Sequence, residues 1–181
     1  MDDPHFLATI AHHDCAVVCI EANEDTPPFA FSVGLFQRFQ HPELLIMGLS
    51  HDAAQQVINA CRDRIRGGDV LRDGFSYGPI LADRRIAMRA IHPDHHPGYL
   101  GTARWFYEQH PFPALQAFWP DASGRYPWDQ GCEPGVAACQ PRLDHPWPFT
   151  GEPVTKRIWL DRRALASSEP LLRIDRLDAS E

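Results

Sequence analysis

The sequence predicts an α+β fold: a mainly antiparallel sheet of about five to seven strands, two main helices over about 50–66 and 97–109, and an irregular Pro-rich C-terminal arm. Three observations lead there. Short apolar runs recur between turn signals, as at 16–20, 29–35 and 43–49. One stretch, 50–66, carries helical spacing between a start and a stop signal. Prolines, seventeen in all, concentrate in the second half, where regular periods fade. At 181 residues the chain suits one domain, read here as 1–140, with 141–181 as a Pro-rich linker and C-terminal extension packing on it.

Phe6, Leu7 and Ile10 predict a short amphipathic helix after Pro4. Residues 16–20 are apolar throughout and read as a buried strand. After the turn Asn23-Glu24-Asp25-Thr26-Pro27 comes Pro28-Phe29-Ala30-Phe31-Ser32-Val33-Gly34-Leu35, which predicts an antiparallel hairpin with the first strand. Its period-two reading puts Phe29, Phe31, Val33 and Leu35 on one face and Ala30, Ser32 and Gly34 on the other. That second face is small rather than polar, so a helix, a strand or a ligand can approach the backbone closely. Packing against the protein's own chain is the commoner use of such a face; the floor of a binding site is the other.

Residues 36–42 read as a loop and 43–49 as a central strand. Ser50 is an N-cap, and Ala53, Ala54, Val57, Ile58, Cys61 and Ile65 form an apolar stripe that ends at Gly67-Gly68. Gln55, Gln56, Arg62, Asp63 and Arg66 fall on the polar face of that helix. Residues 71–81 are turn-rich, 85–91 alternate as a strand with one wet face, 97–109 read as a helix and 113–119 as a strand. The stretches 125–129 and 132–135 look irregular, while 154–160 and 171–177 read as further strands.

A net charge of −7 and a single lysine argue against a nucleic-acid partner, which needs a basic face. No stretch approaches the length of a membrane span, and the acidic start Met1-Asp2-Asp3-Pro4-His5 predicts no signal peptide. Five cysteines without paired spacing predict a reduced, cytoplasmic protein. Cys15 and Cys19, four apart in a strand, lie ~13 Å apart, too far for a disulfide.

The order Pro27-Pro28-Phe29-Ala30-Phe31-Ser32-Val33-Gly34-Leu35, then His41-Pro42-Glu43-Leu44-Leu45-Ile46-Met47-Gly48-Leu49, then a capped helix, then Ala103-Arg104-Trp105-Phe106-Tyr107-Glu108-Gln109, Phe112-Pro113-Ala114-Leu115-Gln116-Ala117-Phe118-Trp119-Pro120-Asp121 and Gly124-Arg125-Tyr126-Pro127-Trp128, resembles the bacterial family known as domain of unknown function 4262. The likeness covers about 11–140. It implies a bacterial, cytoplasmic protein and brings no reaction, cofactor or catalytic residue. The opening order of strand, turn with Pro, strand, strand and helix is also similar to split β-barrel flavoproteins. That likeness implies a flavin phosphate near Ser32 and Gly34, where Arg38 is the only basic candidate nearby.

His92-Pro93-Asp94-His95-His96 is the densest set of metal-ligating side chains, suited to zinc or iron. The flanking prolines spoil its geometry, and a solvated helix entry is the simpler role. Cys15 beside His12, His13 and Asp14 suggests a nucleophile only if a distant base such as His41 or His51 reaches it, and a buried small hydrophobe is the commoner role. The rings of Trp105, Phe106, Tyr107, Phe112, Phe118, Trp119, Tyr126 and Trp128 form core or line a pocket with Asp121, Arg125 and Asp129 as polar points. No P-loop, dinucleotide fingerprint or serine elbow is present.

Three readings follow. The favoured one is a binding or interaction module for a small molecule or a protein, with Ser32, Gly34, Arg38, His41, Trp119, Asp121, Arg125 and Trp128 as contact candidates. The second is a flavin-dependent oxidoreductase of split-barrel type. The third is a metal-dependent hydrolase built on His92, Asp94 and His95 or His96.

Overall fold

The computed structural model describes residues 4–81, 84–147 and the strand 173–175. Helix α1 (Pro4–His13) opens on a proline, whose missing N–H would have no helical partner in a first turn anyway. It buries Phe6 and Ile10, one turn apart. Asp14, in the left-handed conformation at φ 68°, turns the chain into β1 (Ala16–Ile20). β2 (Phe29–Val33) returns beside it as the predicted hairpin, with Val18 opposite Phe31. A short helix α2 (Leu35–Phe39) leads to β3 (Glu43–Met47), then α3 (His51–Arg66). The hairpin β4 (Ser76–Leu81) and β5 (Arg84–Ala90) follows. A 3-10 turn, α4 (His96–Tyr99) and α5 (Gly101–Phe106) lead to β6 (Ala114–Phe118), and α6 (Pro134–Ala138) lies in the arm beyond it. Residues Arg173–Asp175 add a short edge strand, β7, against β1.

The sheet order is β4-β5-β6-β3-β2-β1-β7. Every neighbouring pair is antiparallel except β3 and β6, which run parallel. The fold is therefore the predicted α+β type with a mostly antiparallel, mixed sheet.

Both faces of the sheet's centre are covered. On one face Ala54, Val57, Ile58, Cys61 and Ile65 of α3 pack on Val17, Cys19, Ala30, Leu44 and Ile46. On the other, Phe6 and Ile10 of α1 and Ala103 of α5 share a core with Val18, Phe31, Leu45 and Met47. A strand buried on both sides has no wet face to mark with polar residues, which is why β1 and β3 read as continuous apolar runs. Leu44, Leu45, Ile46 and Met47 are each at most 1% exposed, so each contributes roughly 1.5–3 kcal/mol of burial.

The small-residue side of β2 is occupied by the protein itself. Ala30 belongs to the core beneath α3, and Ser32 is fully buried. Gly34 sits at φ 118°, where a Cβ would come within 2.8 Å of Ile10 and 3.0 Å of the Asp14 carbonyl.

Several elements differ from the sequence expectation. The helix expected over 97–109 is broken at Leu100 (φ −118°, ψ 36°) and ends before Glu108 and Gln109, both left-handed. Gly98 and Gly101 weaken the helix there, while full burial of Leu100 holds the bend. The loop expected over 36–42 contains α2, which Gly34 turns sharply out of β2. The turn-rich 71–81 contains β4; Pro79 is tolerated because β4 is the sheet's edge. Part of the irregular 132–135 belongs to α6. Arg62 is only 5% exposed, in the apolar stripe four residues after Ile58, and pairs with Asp63 at 2.7 Å. The strand expected over 154–160, and most of that over 171–177, lie outside the described residues.

Gly34→Val should therefore destabilise the protein by about 2–4 kcal/mol, through overpacking and an unfavourable φ. Chemical denaturation reads this directly; an unchanged midpoint would contradict the close approach to Ile10 and Asp14.

Candidate functional site

β3 and β6 end side by side and pointing the same way, with Ile46 beside Ala117. Their chains then part. β3 continues through Gly48 to α3 on one face. β6 continues through Trp119, whose ring packs with Leu49 and Leu81 against the α3-side core, and Pro120 into an arm in which Trp128 packs on Phe118 at 5.1 Å and Leu143 joins the core with α5. Parallel neighbours whose chains part beyond the sheet can leave a crevice outside their carboxyl ends. A cleft of about 400 Å³ lies there. Leu49 lines it from the β3 exit, and Trp119, Pro120 and Asp121 from the β6 exit. Leu81 and Arg84 close it from the β4–β5 hairpin, with Glu133 and Val136 opposite.

The cleft walls are tied together by polar groups. The Trp119 indole donates to the Met47 carbonyl at 2.9 Å, joining the two strand exits. The buried Gln140 side chain accepts from the Trp119 N–H and donates to the Trp119 carbonyl, both at 2.9 Å, and donates to Val136 at 3.3 Å. Asp121 accepts main-chain N–H bonds from Ser123, Arg125 and Glu133. The bond from Arg125 leads the effects that hold its carboxyl below the usual range. Arg84 donates to the carbonyls of Pro120 (3.3 Å) and Asp121 (2.5 Å). Gly48, at φ 75°, lies so close to Cys139 that a Cβ would meet its carbonyl at 2.6 Å.

The other end of β3 begins with a fully buried acid. Glu43 accepts from the Ser32 hydroxyl at 2.5 Å, from the main-chain N–H of Gly34 at 2.9 Å and of Phe36 at 3.1 Å, and from the Tyr107 hydroxyl. Ser32 in turn accepts the Leu44 N–H at 2.8 Å. Loss of water pushes the Glu43 carboxyl above its ordinary 4.5, and the four hydrogen bonds oppose that rise without cancelling it. The same loss of water, and then the Glu43 charge, push the Tyr107 phenol up.

The other predicted contact residues are dispersed. Ser32 and Gly34 are turned into the Glu43 network. Arg38 pairs with Asp14 at 2.9 Å, and Arg66 takes the same carboxylate at 2.6 Å. Burial would raise the Asp14 pKa, but the two guanidiniums hold it below its ordinary value. His41 accepts the Leu71 N–H on Nε2 at 3.0 Å and bonds the Pro42 carbonyl through Nδ1 at 2.8 Å. Burial lowers its pKa. It lines a second hollow of about 200 Å³ with Phe39 and Ile65.

Arg125 donates to Gly131, and Trp128 stacks on Tyr126 at 5.1 Å with Arg89 over its ring at 4.7 Å. Trp119 and Asp121 are thus the two predicted contacts that the large cleft brings together. Arg84, Glu133 and Gln140 were not visible as site residues: no spacing links them to Trp119, and only the fold assembles them.

His92 lies 3.3 Å from Asp94, His95 bonds the His145 carbonyl at 2.9 Å, and His96 packs on Phe112. Among the described residues no three His, Cys, Asp or Glu side chains are grouped to hold a metal ion. All five cysteines are free. Burial pushes the Cys15 thiol far up and that of Cys61 up to about 12. His51, the other suggested partner of Cys15, lies 3.5 Å from Glu21.

The chain is thus an α+β protein with a crevice at the ends of its parallel strand pair. The sequence matches the family profile described as domain of unknown function 4262 over residues 9–133, more than half of the chain, and the protein belongs to that family. Neither the curated proteins nor the solved structures give a match. No helix among the described residues is long and apolar enough to cross a membrane.

Two outcomes test this geometry. Gln140→Ala strips both main-chain partners from Trp119, and stability should fall by about 2–4 kcal/mol, the cost of leaving such groups unpaired; a loss well under 1 kcal/mol would contradict the clamp. Glu43 binds its proton more tightly folded than unfolded. Its contribution is therefore complete below 4.5 and lost as pH rises through the raised folded value. His41 has the opposite sign, losing its contribution as pH falls below its ordinary 6.5. Urea titrations of wild type and Glu43→Gln across this range share the His41 effect. Their difference should show the wild type alone declining above pH 4.5; parallel curves would refute the raised carboxyl.

Proposed function

We propose that this is a cytoplasmic bacterial binding module that holds a small molecule in the cleft between Leu49, Trp119 and Val136. The observation that carries the reading is the position of the cleft: it lies at the carboxyl ends of the parallel strands, where the chain paths diverge. Its floor is apolar, with few charged groups at the rim, the usual chemistry of a ligand site. A concave crevice of about 400 Å³ suits a small molecule better than the broad, flatter face of a protein partner. Five unpaired thiols fit a reducing compartment, and the net charge of −7 fits a soluble partner rather than nucleic acid.

The test is a fragment screen against isotope-labelled protein, followed by two-dimensional NMR. Ligands should move the signals of Leu49, the Trp119 indole and Val136. Val136→Trp, which fills the cleft while keeping the main-chain carbonyl that Gln140 bonds, should weaken binding about 10-fold or more, or ~1.4 kcal/mol. Ligands that ignore these signals, or bind Val136→Trp as well as wild type, would refute the reading.

A further inference from the structure

On the sheet face away from α3, one cation has no counter-charge. Ile86 and Met88 of β5 belong to the core beneath α3, so Arg85, Ala87 and Arg89 fall on the opposite face. Phe118 of β6, paired with Ala87, shares that face, and the arm packs Trp128 on it. The guanidinium carbon of Arg89 lies over the Trp128 ring, 4.7 Å from its centre. Its Nε is sealed from water without an acceptor, and its terminal nitrogens make no hydrogen bond among the described residues. No described carboxylate comes within 4.0 Å of it. The nearby acids are committed elsewhere. Asp73 accepts the Ala90 N–H, Asp129 the Tyr126 N–H, and Asp144 both Nε and Nη2 of Arg142. Arg142 lies over the same ring at 5.7 Å, but Asp144 already balances its charge. Nη1 of Arg89 lies beside Gly74, 3.7 Å from where a Cβ would stand, so no side chain of that residue screens it.

We propose that Arg89 and Trp128 form a second site, separate from the cleft, that binds the carboxylate or phosphate group of a small molecule. A cation partly withdrawn from water is costly unless an anion or an acceptor answers it. The indole face attracts the guanidinium but accepts no N–H in the way an oxygen does, so the donors stay available. A carboxylate or phosphate presents two oxygens to such a planar group and makes short, charge-assisted hydrogen bonds. Chloride has no pair of oxygens to offer and gains only the charge attraction. Tyr126, stacked on Trp128 with the rings 12° apart, stiffens the wall on which Arg89 rests. None of these residues lines the cleft.

The experiment titrates full-length, isotope-labelled protein with sodium acetate and with inorganic phosphate, against sodium chloride at matched ionic strength. NMR follows the Arg89 Nε–H, whose sealed position slows exchange with water, and the Trp128 indole N–H. At least one oxyanion should shift both signals to saturation at about millimolar concentration, as one or two charge-assisted bonds allow. The tighter of the two identifies the ligand's anionic group. Followed at Trp128, Arg89→Gln should abolish saturation. Arg89→Lys, which keeps the charge but loses the planar fork, should weaken binding about 10-fold. Arg64→Gln, which removes a cation paired with Asp69 on α3, should change nothing. Melting temperatures report that each variant is folded. Shifts that stay linear and match those in chloride for both oxyanions overturn the proposal, as does saturation that persists unchanged in Arg89→Gln. Because the two sites share no residue, either result leaves the reading of the cleft as it stands.

Discussion

The parallel pairing of β3 with β6 is the constraint on which the architecture depends. Parallel neighbours cannot be joined by a tight turn, so the chain has to make a long crossover between them. Here that crossover carries α3, the β4–β5 hairpin, α4 and α5. It thereby lays α3 on one face and α5 on the other, where α1 completes the second core. The same pairing sets two chain exits side by side. Because one turns toward α3 and the other toward the arm, the space between them stays open.

Four of the buried polar side chains, Ser32, His41, Gln116 and Gln140, share one job: each stands where regular main-chain pairing stops. The β2–β3 ladder is registered as far as Phe31 with Leu45, and Ser32 takes the next N–H, that of Leu44. Gln116 of β6 takes the Leu143 N–H and the Pro141 carbonyl from a segment that is itself no strand. Gln140 takes both main-chain groups of Trp119, and His41 takes the N–H of Leu71. Buried main-chain groups need partners, and these residues supply them at the sheet's irregular margins. Glu43 gathers four donors from β2, α2 and the end of α5, so the end of the sheet opposite the cleft is held by one carboxyl.

The strands were legible because burial on both faces leaves uninterrupted apolar runs, and α3 because Ser50 and Gly67 bracket a clear stripe. The first hairpin followed from its turn. Other parts depend on contacts distant in sequence. Nothing local to Leu100 announces that its side chain will be drawn into the core and break the helix. The strand around Pro79 is recognisable only once its edge position is known. Trp119 and Asp121 stood out in the sequence as part of an aromatic group with polar points. Arg84 and Glu133 did not, because an arginine at a strand start and a glutamate before a proline carry no pattern of their own. The partners of Glu43 lie up to sixty-four residues away, beyond any periodicity.

Gly48 and Cys139 bear on how a visitor would enter. Leu49 follows the first and Val136 lies one helical turn before the second, so the contact between them fixes two facing sides of the crevice. Trp119 is also pinned at both its indole and its main chain, so these walls of the cleft are held without a ligand. For the proposed ligand, walls already set favour entry as a single encounter, in which the relaxation rate would rise linearly with ligand concentration without a plateau.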